Sequence, residues 1–227
     1  MRKLLTIATI ALTFAACQLA NEQGKSDIEN GLEQIGLQNV AEEIPGIEVY
    51  MVYSTPYNFM GRVLYDGLDE AYLVPEAIEK LRKANELLRK KRLDLHLVVY
   101  DAARPRSIQQ QMWKLVENTE LQDFVANPNK SGGGAHNYGV AVYVTLVDCT
   151  GKPIPMGSEY DYFGDRSRVD LEAQLIENGE ISQRELENRQ LLREIMTEAG
   201  WLVEPSEWWH FNAMPLNEAS QKLNVIK

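Results

Sequence analysis

Residues 131–148 read SGGGAHNYGVAVYVTLVD, and the rest of the chain organises around them. Gly139 to Val147 (GVAVYVTLV) is an apolar, β-branched run that predicts a central strand, and Cys149-Thr150-Gly151-Lys152-Pro153 predicts the turn that ends it. The glycines ahead of His136 free the backbone to aim its imidazole into a cleft. Upstream, Leu93 to Tyr100 predicts a strand with Leu93, Leu95, Leu97 and Val99 on one face, and Ile47 to Tyr53 (IEVYMVY) predicts another. Pro75 to Arg92 predicts a helix: Pro75 suits the first turn, and Ile78, Leu81, Leu88, Ala77 and Ala84 recur at helical spacing. Ser107 to Val116 predicts a second helix, carrying Ile108, Met112, Leu115 and Val116. Downstream, Ser182 with Glu185 three residues on is a capping-box signature for a helix running to Ala199 and closed by Gly200. Trp201–Val203 and Trp208–Asn212 are the last strand candidates. Strands and helices mix without regular alternation, which predicts an α+β single domain: a central, mostly antiparallel sheet flanked by helices.

The 227 residues, 44% of them hydrophobic, suffice for one sizeable core after an export segment is subtracted. The formal net charge of −10, from 33 acidic against 23 basic residues, supplies no basic footprint and excludes nucleic acid as a partner. Arg2 and Lys3 precede an apolar run from Leu4 to Ala16, too short to span a membrane and of the length of a signal-peptide core. Phe14-Ala15-Ala16-Cys17 resembles a bacterial lipoprotein cleavage box, in which Cys17 becomes the lipidated N-terminus. Phe14 stands where that box usually has leucine. The expected organisation is a signal peptide at 1–16, a polar lipidated tether at 17–40 and one domain at 41–227. The expected location is the cell envelope, periplasm-facing or at the surface, with the membrane reached through the lipid anchor. Cys149 then has no disulfide partner and is expected to be a half-buried structural thiol.

The chain has three histidines, at 96, 136 and 210. His210 lies in EPSEWWHFN, three residues after Glu207. A histidine ligand with a nearby carboxylate is the usual kit of a zinc hydrolase, in which the metal acidifies a water and the carboxylate takes its proton. His96 lies opposite the apolar face of its strand and reads as structural. The charged stretch Glu177 to Arg193 reads as a solvated helix face. Trp208 and Trp209 read as sheet packing, one of them lining a pocket.

The words around these residues are more specific. His136-Asn137-Tyr138-Gly139-Val140-Ala141-Val142 with Val144-Thr145-Leu146-Val147-Asp148 resembles the first metal motif of the D-alanyl-D-alanine dipeptidases, zinc enzymes related to D,D-carboxypeptidases and hedgehog-type domains. Glu207-Trp208-Trp209-His210 resembles the second. Asp101-Ala102-Ala103-Arg104-Pro105 resembles the family's DAxRP segment. Met156-Gly157-Ser158 with Asp161-Tyr162-Phe163, and Tyr53, Asn58, Phe59, Gly61 and Tyr65, resemble two further segments, so the likeness runs in order from about 45 to 215.

The resemblance implies one zinc ion held by His136 and His210, Glu207 as the base, Arg104 polarising the scissile carbonyl and Asp161 holding the substrate ammonium. The implied activity is hydrolysis of D-alanyl-D-alanine or a similar D,D-dipeptide, for cell-wall peptide turnover or salvage. Two positions depart from the pattern. Gly134 replaces a serine, and Tyr143 replaces the aspartate that is the family's remaining zinc ligand. A ligand must bind deprotonated. Ionising a phenol of pKa about 10 at pH 7 costs roughly 3 pKa units, or about 4 kcal/mol. Tyr143 either ligates weakly, turns away, or fills the site as a core aromatic. Asp148, on the opposite strand face, is no substitute. The alternative function is an inactive lipoprotein that binds cell-wall peptides or a protein partner through the old cleft.

Overall fold

The computed structural model describes residues 24–130 and 133–227. The signal segment at 1–16 and Cys17 lie outside the described residues. Helix α1 (Asp27–Gln34) begins at Ser26, whose side chain caps it in a capping box with Glu29. Strand β1 (Gln38–Asn39), helix α2 (Val40–Glu43), strand β2 (Glu48–Val49) and strand β3 (Tyr72–Leu73) follow, β1 pairing antiparallel with β3. Helix α3 (Pro75–Lys91), strand β4 (Leu95–Asp101), helix α4 (Arg106–Val116) and strand β5 (Ala141–Asp148) form the middle of the chain. Helices α5 (Glu172–Glu177) and α6 (Gln183–Glu198), strands β6 (Leu202–Val203) and β7 (His210–Asn212), and helix α7 (Leu216–Lys222) complete it.

The main sheet has the order β2-β4-β5-β7-β6, with β2 parallel to β4 and every other pair antiparallel. This is the expected α+β architecture, and β5 is its middle strand. Residues 142 and 144 to 147 of β5 are buried aliphatics or Thr145, as a strand covered on both faces requires. On one face Leu95, Leu97 and Val99 of β4 meet Leu146 and Val144 of β5, and α3 packs there against β4 and α6. Helix α3 turns Ala77, Ile78, Leu81, Ala84 and Leu88 inward and closes on Arg89, Lys90 and Lys91, which suit the negative end of its dipole.

Several boundaries differ from expectation. The strand predicted at 47–53 is only β2, because the chain enters a 3-10 turn at Val52–Ser54. Leu93 lies before β4 and is exposed, and Leu115 is exposed on α4. Part of the stretch assigned to the tether is packed into the domain: Leu32, Leu37 and Val40 are buried. Cys149 is exposed in the turn after β5, not half-buried. The 177–193 stretch is not wholly solvated, since Arg189 on α6 is 1% exposed.

Candidate functional site

Sheet register assembles the site. Tyr143 on β5 pairs with Asp101 on β4 and with His210 on β7, so these side chains lie in a row on the sheet face away from α3. Asp101 reaches that face through a bulge. Val99 pairs with Val144 and Asp101 with Tyr143, leaving Tyr100 as the extra residue that reverses the alternation. Without it, Asp101 would fall on the same face as Leu97 and Val99.

His136 arrives on a 3-10 turn, Ala135–Tyr138, just before β5. Gly139 ends that turn at φ +67, and a Cβ there would lie 2.8 Å from Leu37 Cδ2. Asn137 fastens the turn to the DAxRP segment: its Oδ1 accepts from Gly134 N at 2.9 Å and its Nδ2 donates to Arg104 O at 2.8 Å. Arg104 N donates to His136 O at 3.0 Å. The C-terminal tail adds a further tie, with Ile226 N donating to Asn137 O at 2.8 Å and Arg106 N to Ile226 O at 2.9 Å.

The two imidazoles lie 5.0 Å apart, centroid to centroid. The Tyr143 ring stands edge-on to both, at 4.4 Å from His136 and 4.8 Å from His210. His136 Nδ1 lies 2.7 Å from Ala102 O, so it carries the proton. His136 Nε2 is left as a bare acceptor, buried and without a hydrogen-bond partner. Burial, then the Arg104 and His210 charges, push the His136 pKa well down, which keeps the ring neutral. His210 Nδ1 lies 2.9 Å from Glu207 Oε2 and its Nε2 3.1 Å from Asn212 Oδ1. Burial, then Glu207, hold the Tyr143 phenol well above its ordinary 10.

Arg104 is 4% exposed, its Nε donating to Asp101 Oδ2 at 3.0 Å and its Nη1 to Gln109 Oε1 at 2.8 Å. Tyr65 Oη donates to the other Asp101 oxygen at 2.6 Å. The guanidinium carbon lies 5.2 Å from the centre of the Tyr53 ring and 5.4 Å from that of Tyr143. Tyr53 Oη in turn donates to Asp161 Oδ1 at 2.9 Å, and Phe59 N donates to Asp161 Oδ2 at 3.4 Å. Asp161 holds φ at +58, an uncommon backbone for a residue with a Cβ. Burial, helped by the Glu207 charge and opposed by Tyr53, pushes its carboxyl up to about 7. His136, His210, Glu207, Arg104, Asp161 and Tyr143 thus form one linked cluster. His96 stands apart, half-exposed and 3.9 Å from Glu48.

The zinc ion implied by the resemblance meets a donor set that does not fit. His136 Nε2 is a suitable donor, bare and buried. The residue beside it is a neutral phenol whose ring packs against both imidazoles, where an ionised carboxylate is needed. Among the described residues no group of three or more His, Cys, Asp and Glu is placed to hold a metal ion.

Some partners carried no signal within their own segments. Tyr53 and Asp161 are 108 positions apart, and Tyr65 and Asp101 are 36 apart. Trp208 is more than packing, since its Nε1 donates to Ser158 Oγ at 2.8 Å, while Trp209 is fully buried. Asn137, adjoining His136, was open to recognition as a polar residue inside the motif.

The chain is similar to proteins of one known family. The family model described as D-ala-D-ala dipeptidase matches residues 33–227. The D-alanyl-D-alanine dipeptidase of Escherichia coli (strain K12) is 29% identical over 175 residues, covering 77% of this chain and 83% of the relative. Its namesake in Synechocystis is 28% identical over 209 residues, covering 78% and 84%. That of Enterococcus faecium is 28% identical over 194 residues, covering 78% and 91%.

Proposed function

From the chain's membership of the D-ala-D-ala dipeptidase family, we propose that its cleft recognises D-alanyl-D-alanine or a similar small D,D-dipeptide, and that Tyr143 holds hydrolysis down. The observation that carries this is the linked cluster itself. Asp161, Arg104 and Glu207 are all retained and joined around Tyr143. In this reading the Asp161 carboxylate takes the dipeptide's ammonium. The Arg104 guanidinium, held in one orientation by Asp101 and Gln109, faces the carbonyl oxygen as charge gathers there. Glu207 is the group able to accept a proton from an attacking water. His136 and His210 would hold the family's zinc, which would supply Lewis acidity at that water, and Tyr143 leaves the third ligand position without an ionised donor. In the same proposal the lipoprotein-like box at Phe14–Cys17 anchors the protein in the cell envelope through Cys17, where it would meet dipeptides from cell-wall turnover or salvage.

A second reading, a lipoprotein that binds cell-wall peptides with no turnover at all, is favoured by the neutral, buried Tyr143 phenol. Both readings share the binding step. Calorimetry with D-alanyl-D-alanine, its N-acetyl derivative and L-alanyl-L-alanine tests it on the chain without added metal. Saturable binding of the first, weakened in the other two, is expected. Equal binding of all three, or none, would reject the dipeptide site.

A further inference from the structure

A buried arginine on α6, outside the catalytic motifs in sequence, grips both ends of the loop that presents Asp161. Arg189 is 1% exposed. Its Nε donates to Met156 O, and its Nη2 donates to Arg166 O at 2.6 Å. These carbonyls flank residues 157–165, with Asp161 midway between them. The neighbouring Asn188 Nδ2 donates to Pro155 O at 2.7 Å, so two successive side chains of α6 hold the entry to the loop.

The loop is shaped to receive this guanidinium. Gly157 sits at φ +83, and a Cβ there would lie 3.2 Å from Arg189 Nη2 and 2.6 Å from Ile181 Cγ2. The guanidinium carbon is 6.0 Å from the centre of the Trp208 ring, and Trp208 Nε1 donates to Ser158 Oγ in the same loop. Glu172 on α5 supplies the counter-charge, 3.8 Å from Arg189 Nη1, and is itself fixed by Arg193 at 3.0 and 2.7 Å. Burial lowers the Arg189 pKa only to about 10, so the group remains a cation at neutral pH.

A buried cation is expensive unless it is paired, and here Nε and Nη2 are hydrogen-bonded while Nη1 has only the nearby Glu172 charge. A neutral apolar residue would fill the same volume at less cost, yet would make neither carbonyl bond. We infer that Arg189 is a positioning residue: by bridging the Met156 and Arg166 carbonyls it fixes the loop so that Asp161, in its left-handed backbone conformation, aims its carboxylate at the ligand's ammonium. A lysine has the charge without the fork, so it cannot span both carbonyls.

This inference rests on the dipeptide reading, and its test separates the two. Wild type, Arg189→Lys and Arg189→Gln are compared by hydrogen exchange across residues 157–165 and by calorimetry with D-alanyl-D-alanine and its N-acetyl derivative. The expected result is faster exchange in 157–165, with β4 and β5 unchanged. With it comes a loss of about tenfold or more in the preference for the free amine, read against the 1.4 kcal/mol that a factor of ten represents. A wild-type preference that survives in folded Arg189→Lys overturns the brace and leaves the dipeptide site standing. Unchanged exchange in 157–165 also overturns it. A wild type without any preference for the free amine overturns the dipeptide reading, and the brace's role with it.

Discussion

Replacing Asp161 with Asn should change how the stability of the domain depends on pH. The Asp161 carboxyl is pushed from 3.8 up to about 7, chiefly by burial, with Glu207 adding to the shift and Tyr53 opposing it. A carboxyl raised in this way binds its proton more tightly in the folded chain than in the unfolded one. Between about pH 4 and about pH 7 the folded state therefore holds more protons, and stability falls as pH rises across that window. About 3 pKa units at about 1.4 kcal/mol each give at most about 4 kcal/mol. The figure is an upper one because Asp161 is partly open to solvent. Urea unfolding of wild type and Asp161→Asn from pH 4 to 8 reads the difference directly. The wild type should lose stability relative to the variant as pH rises, with the loss complete just above 7. Tyr53→Phe removes a donor that favours the ionised carboxylate, and should carry the window to higher pH. Parallel pH profiles for wild type and Asp161→Asn would refute the reasoning.

Dipeptide affinity should rise with pH through about 7, because the ammonium needs the ionised carboxylate; calorimetry at pH 6 and 8 measures it. Tyr143→Asp should unfold about 3–5 kcal/mol more easily without metal, since a buried ring is lost, and its melting temperature should rise on adding zinc while that of the wild type stays put. Asn137→Ala should cost about 2–4 kcal/mol in urea unfolding, because Gly134 N and the Arg104 carbonyl lose their buried partner. Removing residues 224–227 should destabilise the domain by a similar amount, about 2–4 kcal/mol, through the ties of Ile226 to Asn137 and Arg106 and its own burial.

The central strand, helix α3 and the cap of α6 were legible because each depends on residues a few positions apart. Pro75 and the Ile78/Leu81/Leu88 stripe specify α3 locally, and Ser182 with Glu185 specifies the start of α6. Ser26 with Glu29 carries the same capping signature, and applying it would have moved residues 26–34 from the tether into the domain. The bulge at Tyr100 is another matter. It exists only in the pairing of β4 with β5, so alternation along β4 alone gives no sign that Asp101 changes face. Arg189 lay within reach, since it precedes Leu192 and Met196 by three and seven positions on one helical stripe. Its charge argued for solvent, and only the distant carbonyls of Met156 and Arg166 make its burial tolerable. For Tyr143 the motif identified the position, while register decided the outcome. A residue paired with both Asp101 and His210 shares their sheet face, and its ring packs edge-on against both histidines.

The account turns on Tyr143, and the most direct measurement is the rate of D-alanine release from D-alanyl-D-alanine by wild type and Tyr143→Asp, each with one equivalent of zinc. Removing the cost of ionising a phenol, about 4 kcal/mol, corresponds to a gain of about a thousandfold in metal affinity. The predicted result is turnover in Tyr143→Asp at least about a hundredfold above that of the wild type, with zinc retained through dialysis only by the variant. A wild type that keeps stoichiometric zinc and hydrolyses the dipeptide as fast as Tyr143→Asp would contradict it.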